Sequence, residues 1–594
     1  MALVNGFGQK IRQLLKGKIS FSQTQILIIF AVVVGATTAA GGIGFIALIT
    51  YFTGLFVDLS ELSVQGMVSQ RHYWVPIIPA IGGLLVAPLI IKFAREAKGH
   101  GVPEVMNAVA RRGSIIRPRV AIVKTLASAI CIGSGGSAGR EGPIVQIGSA
   151  IGSAVGQLFK MSSERRKVLV GCGAAAGISA VFNAPIGGTF FALEVIMGDF
   201  AVKTFSPVLI SSVVASVVSR SILGDSPAFE ITGYSMVSPW EIPIYATMGL
   251  ALGAVSVSFT HTLNWSEDVW DRFKLSPYLK PALGGLMLGV IGIFYPQVFA
   301  DGYSTITNAL EGRMVWNLLA ALVFLKIIAT SLTLGSGSSG GIFAPALFIG
   351  AMGGGAFGFL ANYLFPGVTA SPGAYALVGM ACTVAGTTHA PITAILIIFE
   401  MTSDYRIILP LMVAVVFATL LAQKLEMHSI YTIKLAKRGI NLRGGKDIDI
   451  LRNVKVSEVM DTSYTTAPAT ATVPELLRTL SESDESYFMV IDRDGRLTGA
   501  LSFGDLRRVL TESAAYDLII AQDIATTPIT VTPEDSLERA LTLMGGQGLQ
   551  LLPVVDATDS TKLIGVLRHE KLLQNYNRRL VESMSCKYRF YFLA

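Results

Sequence analysis

Between about residue 23 and residue 424 the chain alternates long apolar segments with short polar interruptions. An upright membrane-spanning helix needs about 20 apolar residues, and several segments approach that length. Others, such as Ile144–Leu158 and Ala344–Leu360, are short and contain Gly or Pro, which predicts helices that enter the membrane and stop inside it. The pattern predicts an all-α polytopic membrane domain. The segments suited to spanning include Ile26–Tyr51, Trp74–Ile91, Ile242–Phe259, Ala282–Phe294 and Ile407–Ala422.

After Lys437 the pattern changes to that of a soluble protein. Short β-rich runs alternate with helical runs and turn signals, which predicts an α/β module. The predicted strands are Tyr487–Ile491, Leu497–Leu501, Gln550–Val555 and Leu563–Leu567. The predicted organisation is an N-terminal cytoplasmic segment (1–22), a transmembrane domain (23–435), a polar basic linker (436–453), the soluble module (454–580) and a C-terminal tail (581–594).

Composition and charge agree with a membrane protein. Of the 594 residues, 52% are hydrophobic and 15% charged, whereas about a quarter of a soluble domain is charged. The net charge of +7 has a topological explanation, because basic residues concentrate on cytoplasmic faces; we therefore expect both termini in the cytoplasm of a cell inner or plasma membrane protein, and no nucleic-acid partner. The four cysteines have no metal-site or disulfide spacing. The basic positions are Lys10, Arg12, Lys16 and Lys18 near the start, and Arg95, Lys98, Arg111, Arg112, Arg117 and Arg119 in one loop.

Two glycine-rich stretches reveal an internal duplication. GSGGSAGREGPIVQIG at 133–148 returns as GSGSSGGIFAPALFIG at 335–350, an offset of 202 residues without a gap. A second pair, NAPIGGTFFALE at 183–194 and HAPITAILIIFE at 389–400, follows at an offset of 206 residues. Corresponding Gly/Pro-broken segments in two halves indicate a transport site between them.

The first stretch carries a charged pair, Arg140 and Glu141, which close packing of helices does not require. A helix that begins inside the membrane directs free N–H groups and a positive dipole at its surroundings, and glycines expose those donors to an anion. Two such starts, Gly139–Pro143 and Gly341–Pro345, would converge on one anion. A carboxylate there would act as a tethered anion that competes with a mobile one, so Glu141 is predicted to be a gate.

These residues resemble the CLC chloride channels and H⁺/Cl⁻ antiporters. The resemblance covers roughly residues 20–440 and rests on GHGVPE (99–104), GREGP (139–143), GIFAP (341–345) and Tyr431 in SIYTIKL. The soluble module resembles a pair of CBS domains, as many CLC proteins carry. The resemblance implies two inverted halves, a homodimer in the lipid bilayer, and one chloride pathway within each subunit, with voltage- or pH-dependent gating.

The resemblance also assigns roles to individual residues. The backbone N–H groups of Ile342 and Phe343 and the hydroxyl of Tyr431 would hold the central anion. Glu141 would be the external gating glutamate, with Arg140 beside it supplying positive potential. Gly142, in the same helix start, is counted with the anion-binding residues.

The chain departs from the family pattern at His100. The family motif usually reads GSGIP, with the serine hydroxyl touching the central anion, and here the serine is replaced by His100. One reading is that the imidazole, which titrates near physiological pH, donates a hydrogen bond to the anion. The other is that His100 points away and a backbone amide serves instead.

A second departure bears on proton coupling. The antiporters usually carry an inner proton glutamate one position after the acid that matches Glu194, and here that position is Val195. Valine cannot bind a proton, so we expect a passive chloride channel. The alternative is a proton-coupled Cl⁻/H⁺ antiporter, because some transporters also lack that acid.

In the CBS region, Ser502 and Asp505 keep the Ser/Thr-x-x-Asp pattern whose aspartate binds the ribose of a nucleotide. The second copy has Arg568 and Lys571 at these positions, so at most one nucleotide site is expected. Ser502 and Asp505 could equally be an ordinary helix cap. No cofactor is required, and an adenine nucleotide at the CBS pair is the only one the resemblance suggests.

Two other classes of function were weighed. GGSAG (135–139) and GSSGG (337–341) match the G-x-S-x-G nucleophile elbow, but they lie in Gly-Ser repeats without the strand–turn–helix setting or partner histidine that the motif needs. An enzyme is therefore not expected. A membrane-tethered nucleotide sensor that conducts nothing would leave the duplicated motifs unexplained.

Overall fold

The computed structural model describes residues 23–58, 75–225, 228–229, 234, 236–402, 404–438, 451, 454–482, 487–512, 518–547, 549–576 and 578. The chain divides into two compact units, Met1–Ile440 and Asn441–Ala594. The predicted segment 1–22, the tail 581–594 and most of the linker 436–453 lie outside the described residues.

The described part of the first unit is helical, as the hydrophobic pattern predicts, and six of its helices are long and apolar enough to cross a membrane. Its helices are α1 (Gln23–Asp58), α2 (Ile77–Pro88), α3 (Val102–Arg111), α4 (Arg119–Gly133), α5 (Glu141–Leu158), α6 (Ser163–Phe182), α7 (Pro185–Phe191), α8 (Val202–Leu223), α9 (Glu241–Arg272), α10 (Lys280–Phe294), α11 (Tyr303–Leu310), α12 (Trp316–Gly335), α13 (Phe343–Leu364), α14 (Pro372–Thr388), α15 (Pro391–Thr402), α16 (Ile408–Leu425) and α17 (Thr432–Lys437).

The glycines of the duplicated stretches pack helices together without interrupting them. A Cβ on Gly148 of α5 would lie 2.1 Å from the carbonyl oxygen of Gly173 in α6, and one on Gly350 of α13 would lie 2.3 Å from that of Gly379 in α14. α13 is therefore a continuous helix of 22 residues, and our prediction that Ala344–Leu360 is a short segment was wrong. The interruptions in the helical fold are the helix starts where the two halves meet and short helices such as α3 and α11.

The second unit has the predicted α/β composition. In one sheet β1 (Thr466–Pro468) pairs in parallel with β2 (Tyr487–Ile491), which pairs antiparallel with β3 (Leu497–Ser502). In the other, β4 (Leu551–Val555) pairs antiparallel with β5 (Leu563–Arg568). The four predicted strands are confirmed to within a residue at each end. The helices are α18 (Val473–Glu482), α19 (Phe503–Glu512), α20 (Ala521–Ile524) and α21 (Leu537–Gln547), with a further helical segment at 569–576.

Candidate anion site

The two duplicated motifs meet where α5 and α13 begin. The N–H of Gly139 donates to the carbonyl oxygen of Gly341 at 2.8 Å, and the N–H of Gly341 donates to that of Gly139 at 2.6 Å. Arg140 and Ile342 are the N-cap residues of the two helices. The structure thus brings together the two helix starts that the sequence predicts to converge, and their free N–H groups and positive dipole ends lie at one place.

The carboxylate of Glu141 occupies this place. Its Oε2 accepts a hydrogen bond from the N–H of Ala344, in the first turn of α13, at 3.2 Å. Its Oε1 accepts one from the hydroxyl of Tyr303 at 2.9 Å. Glu141 is 1% exposed, so its carboxyl group is buried where the two helix starts meet.

Glycines lie on both sides of this carboxylate, in close contact with neighbouring groups. A Cβ on Gly139 would lie 2.0 Å from Glu141 Oε2. A Cβ on Gly142 would lie 2.3 Å from the carbonyl oxygen of His100 and 2.9 Å from the Cα of Gly341. Gly142 is therefore the point where GHGVPE, GREGP and GIFAP contact one another; its part in anion binding stays a prediction.

His100 and Tyr431 lie side by side at the site. Their ring centroids are 5.7 Å apart, and both side chains are buried, at 3% and 1% exposure. Tyr431 is the N-cap residue of α17. Among the described residues no hydrogen-bond partner exists for His100 Nδ1. A buried polar atom without a partner is costly; that the imidazole donates to an anion stays a prediction.

A pair of buried lysines, which sequence reasoning missed, supports the loops around the site. Lys124 Nζ donates to the carbonyl oxygens of Ala97 and Gly99, at 3.1 and 2.6 Å. Lys326 Nζ donates to those of Val298 and Ala300, at 3.0 and 2.9 Å. Both lysines are 0% exposed. They are separated by the repeat offset of 202 residues, which is the signal that could have identified them.

The same symmetry links hydroxyl groups across the two halves. Ser128 Oγ lies 2.8 Å from Ser339 Oγ, and Ser137 Oγ lies 3.2 Å from Thr330 Oγ1. Each residue of the first pair has its repeat counterpart, 202 residues away, in the other pair. The halves therefore exchange equivalent contacts, as an internal two-fold axis requires.

Glu194 also belongs to an exchanged pair. It accepts hydrogen bonds from the N–H of Thr393, at 2.8 Å, and of Ile392, at 3.4 Å, in the first turn of α15. Its counterpart Glu400 accepts bonds from the N–H groups of Ile186 and Gly187 in the first turn of α7, at 2.9 and 2.6 Å. Both carboxylates thus cap helices, as expected for a structural acid at Glu194. Val195, buried at 8% exposure, offers no ionisable group.

Tyr303 and Arg140 form the other side of the site, and Tyr303 was not predicted. The guanidinium carbon of Arg140 lies 4.6 Å from the centroid of the Tyr303 ring, a cation–π distance. The Tyr303 side chain thus contacts both residues: its ring contacts Arg140 and its hydroxyl donates to Glu141. Gly302 and Gly101, the N-cap residues of α11 and α3, both have positive φ, of 80° and 83°, so the two helices begin in a similar way.

In the second unit, the predicted ribose-binding pair forms a helix cap. Ser502 Oγ donates to Asp505 Oδ2 at 2.6 Å, and the N–H of Asp505 donates to Ser502 Oγ at 3.3 Å. At the second copy, Arg568 and Lys571 both bond to the carboxylate of Asp461. The two positions are therefore chemically different, and the second is occupied by an internal ion-pair cluster.

A duplicated helical membrane unit, with two helix starts meeting around a buried carboxylate, defines a membrane protein that transports anions. The voltage-gated chloride channel family matches residues 82–423, and the CBS domain matches residues 456–512 and 521–578. The chain belongs to the voltage-gated chloride channel (CLC) family and carries a pair of CBS domains. The predicted family and fold class are confirmed, and the family is one of chloride transport proteins rather than enzymes.

The relatives that are similar to this chain include proteins named as chloride channels and proteins named as exchangers. A putative chloride channel protein ClcB-like of Ralstonia nicotianae is 35% identical, over 63% of this chain and 89% of the relative. Chloride channel protein CLC-f of Arabidopsis thaliana is 31% identical, over 86% and 74%. The H⁺/Cl⁻ exchange transporter ClcA of Citrobacter koseri is 33% identical, over 72% and 92%.

Two solved structures share the fold. A slow cyanobacterial Cl⁻/H⁺ antiporter has a TM-score of 0.64 and 28% identity, covering 70% of this chain and 99% of its own. A eukaryotic CLC transporter has a TM-score of 0.63 and 22% identity, covering 93% and 99%. Because the similarity to the eukaryotic transporter covers 93% of this chain, the shared fold includes the CBS region.

Proposed function

We propose that this protein exchanges chloride for protons across the membrane. Support comes from the relatives named H⁺/Cl⁻ exchangers, at 33% identity, and from the similarity to a Cl⁻/H⁺ antiporter at 28% identity. These findings favour the exchanger over the passive channel that the sequence led us to expect. The channel is nevertheless a candidate, because Val195 replaces the inner proton acid of the family's antiporters.

The observation that carries the proposal is the position of the Glu141 carboxylate at the N-terminus of α13. An ionised carboxylate there occupies the donors that a chloride ion would need. Protonation removes its negative charge and lets chloride displace it. One side chain then binds a proton or yields its place to an anion, which is the elementary step of exchange.

The proposed anion ligands come from the two helix starts and from two adjacent rings. The N–H groups of Ile342 and Phe343 precede the one that Glu141 accepts from, and a helix leaves such first N–H groups without internal partners. His100 and Tyr431 supply an imidazole N–H and a hydroxyl from adjacent rings. Arg140 and Gly142 complete the set, Arg140 through positive potential and Gly142 through close backbone approach.

The test is to record chloride and proton movement simultaneously from liposomes that contain the purified protein. An outward chloride gradient should drive protons uphill in a fixed ratio, and the reversal potential should shift with the pH gradient. Chloride movement that stays at the chloride Nernst potential at every pH gradient would instead establish the channel. No chloride movement at all would contradict both.

We also propose a homodimer with one pathway per subunit and cytoplasmic termini. The basic loop that contains Arg111, Arg112, Arg117 and Arg119 supports a cytoplasmic face. Light scattering in detergent tests the dimer.

An adenine nucleotide is proposed to bind at Ser502 and Asp505 of the first CBS copy, since the second copy has the Asp461 ion-pair cluster instead.

A further inference from the structure

Tyr303 contacts both charged residues of the GREGP motif. Its hydroxyl donates to Glu141 Oε1 at 2.9 Å, and its ring lies under the guanidinium of Arg140 at 4.6 Å. We propose that Tyr303 is a positioning residue that latches the ionised Glu141 in the anion site and thereby sets the external pH at which the pathway opens. The inference rests on the proposed gating role of Glu141.

The ring of Tyr303 has a second packing contact besides Arg140. It stacks with Phe229, with centroids 5.5 Å apart and planes inclined by 21°. Phe229 is 1% exposed, and its N–H donates to the carbonyl oxygen of Met401 at 3.1 Å. The hydroxyl is therefore held in place independently of Glu141, so that it acts as a fixed point for a mobile carboxylate.

The backbone of Tyr303 is equally constrained. It is the first residue of α11, directly after Gly302 in a left-handed conformation. Its N–H donates to Asp301 Oδ1 at 3.4 Å, and the preceding loop is tied to Lys326 Nζ through the carbonyl oxygen of Ala300 at 2.9 Å. Tyr303 thus reaches the anion site from an anchored helix start.

A hydroxyl that donates to a carboxylate stabilises its ionised form. The charged and titratable groups that act on Glu141 here are Arg140, Tyr303, Asp301 and Tyr431. Tyr303 is the one among them with a hydrogen bond to the carboxylate. Without its hydroxyl, the ionised and latched form of Glu141 loses a partner, and Glu141 takes up a proton and leaves the site at a higher external pH.

The experiment is to measure chloride flux against external pH for Tyr303→Phe in liposomes. This variant keeps the aromatic stack and the cation–π contact and removes only the hydroxyl. We expect the midpoint of acid activation to move to higher pH by about one unit, a tenfold change in proton concentration. The matched control is Tyr375→Phe, because Tyr375 also donates to a buried glutamate, Glu241, at 3.3 Å.

A second comparison separates this inference from the proposed gate. In the Glu141→Gln background, Tyr303→Phe should cause no further change in flux or pH response, because the two residues act as one unit. An unchanged midpoint in the single variant, with a normal elution profile in detergent, would overturn the latch, as would a shift that persists without Glu141. If Glu141→Gln itself leaves flux and pH response unchanged, the gating role fails first and separately.

Discussion

Replacement of Glu141 by glutamine removes one charge from the anion site with almost no change in shape. The wild-type carboxylate accepts two hydrogen bonds, from the N–H of Ala344 at 3.2 Å and from the hydroxyl of Tyr303 at 2.9 Å. The glutamine side chain has one oxygen acceptor, and its amide nitrogen only donates. The Ala344 N–H can donate to the amide oxygen and the amide nitrogen can donate to the Tyr303 hydroxyl oxygen, so both charge-assisted bonds become neutral.

The size of the effect follows from these two contacts. A hydrogen bond to a charged group contributes about 1.5–3 kcal/mol and a neutral one about 0.5–1.5 kcal/mol. The seated side chain should therefore lose roughly 2–3 kcal/mol, to which the helix N-terminus adds some tenths. Since each 1.4 kcal/mol is a factor of ten, we expect the closed form to be depopulated about 30-fold or more.

The assay is chloride efflux from liposomes at a series of external pH values. Glu141→Gln should raise the flux at neutral external pH and flatten its dependence on acid. The matched control is Glu400→Gln, because the Glu400 carboxylate also caps a helix start, through the N–H groups of Ile186 and Gly187, away from the anion site. It should leave the pH profile in place.

Two results would refute this reasoning. If Glu141→Gln retains both the wild-type flux and the wild-type pH response, the carboxylate does not compete with chloride. If Glu400→Gln flattens the pH profile to the same extent, the effect belongs to any lost helix cap in the membrane unit and not to the anion site.

Three further predictions concern other residues of the two units. His100→Ser should keep chloride transport but change its acid-side pH dependence, measured as flux in liposomes; an unaltered profile would remove the imidazole from the site. Gly142→Ala should destabilise the protein by about 1–3 kcal/mol through overpacking and lower its thermal midpoint in detergent, whereas Gly44→Ala, which meets nothing within 4 Å, should not. Calorimetry on the full chain should show at most one adenine nucleotide per subunit, and Asp505→Ala should abolish its binding. Asp535→Ala, at a matched cap residue bonded to Thr532, should keep it, and absence of heat at millimolar nucleotide would contradict the site.

The local pattern of residue types in the sequence was sufficient for much of the prediction in both units. In the soluble unit, short runs of β-branched and apolar residues between turn signals located four strands to within a residue at each end. In the membrane unit, repeated Gly and Pro at corresponding positions predicted two helix starts at one place, and Gly139 and Gly341 indeed bond to each other. Such features are readable because they depend on residues that are close in the chain.

The length and glycine content of Ala344–Leu360 led to the wrong prediction for α13. Ala344–Leu360 reads as an interrupted segment, yet Gly350 and Gly354 pack directly against the backbone of α14 within a continuous helix. A glycine that lets helices approach and one that breaks a helix look alike in sequence. The difference depends on the neighbouring helix, which only the packed structure supplies.

The sequence by itself determined the membrane character, the duplication, the family and the position of an acid at a helix start. The tertiary structure decided which distant groups meet that acid. Tyr303 reaches Glu141 across 162 residues and Ala344 across 203 residues, and Lys124 and Lys326 support equivalent loops in opposite halves. These contacts arise because two similar halves pack about a common axis, so that residues far apart in the chain share one small buried volume where unpaired polar groups are costly.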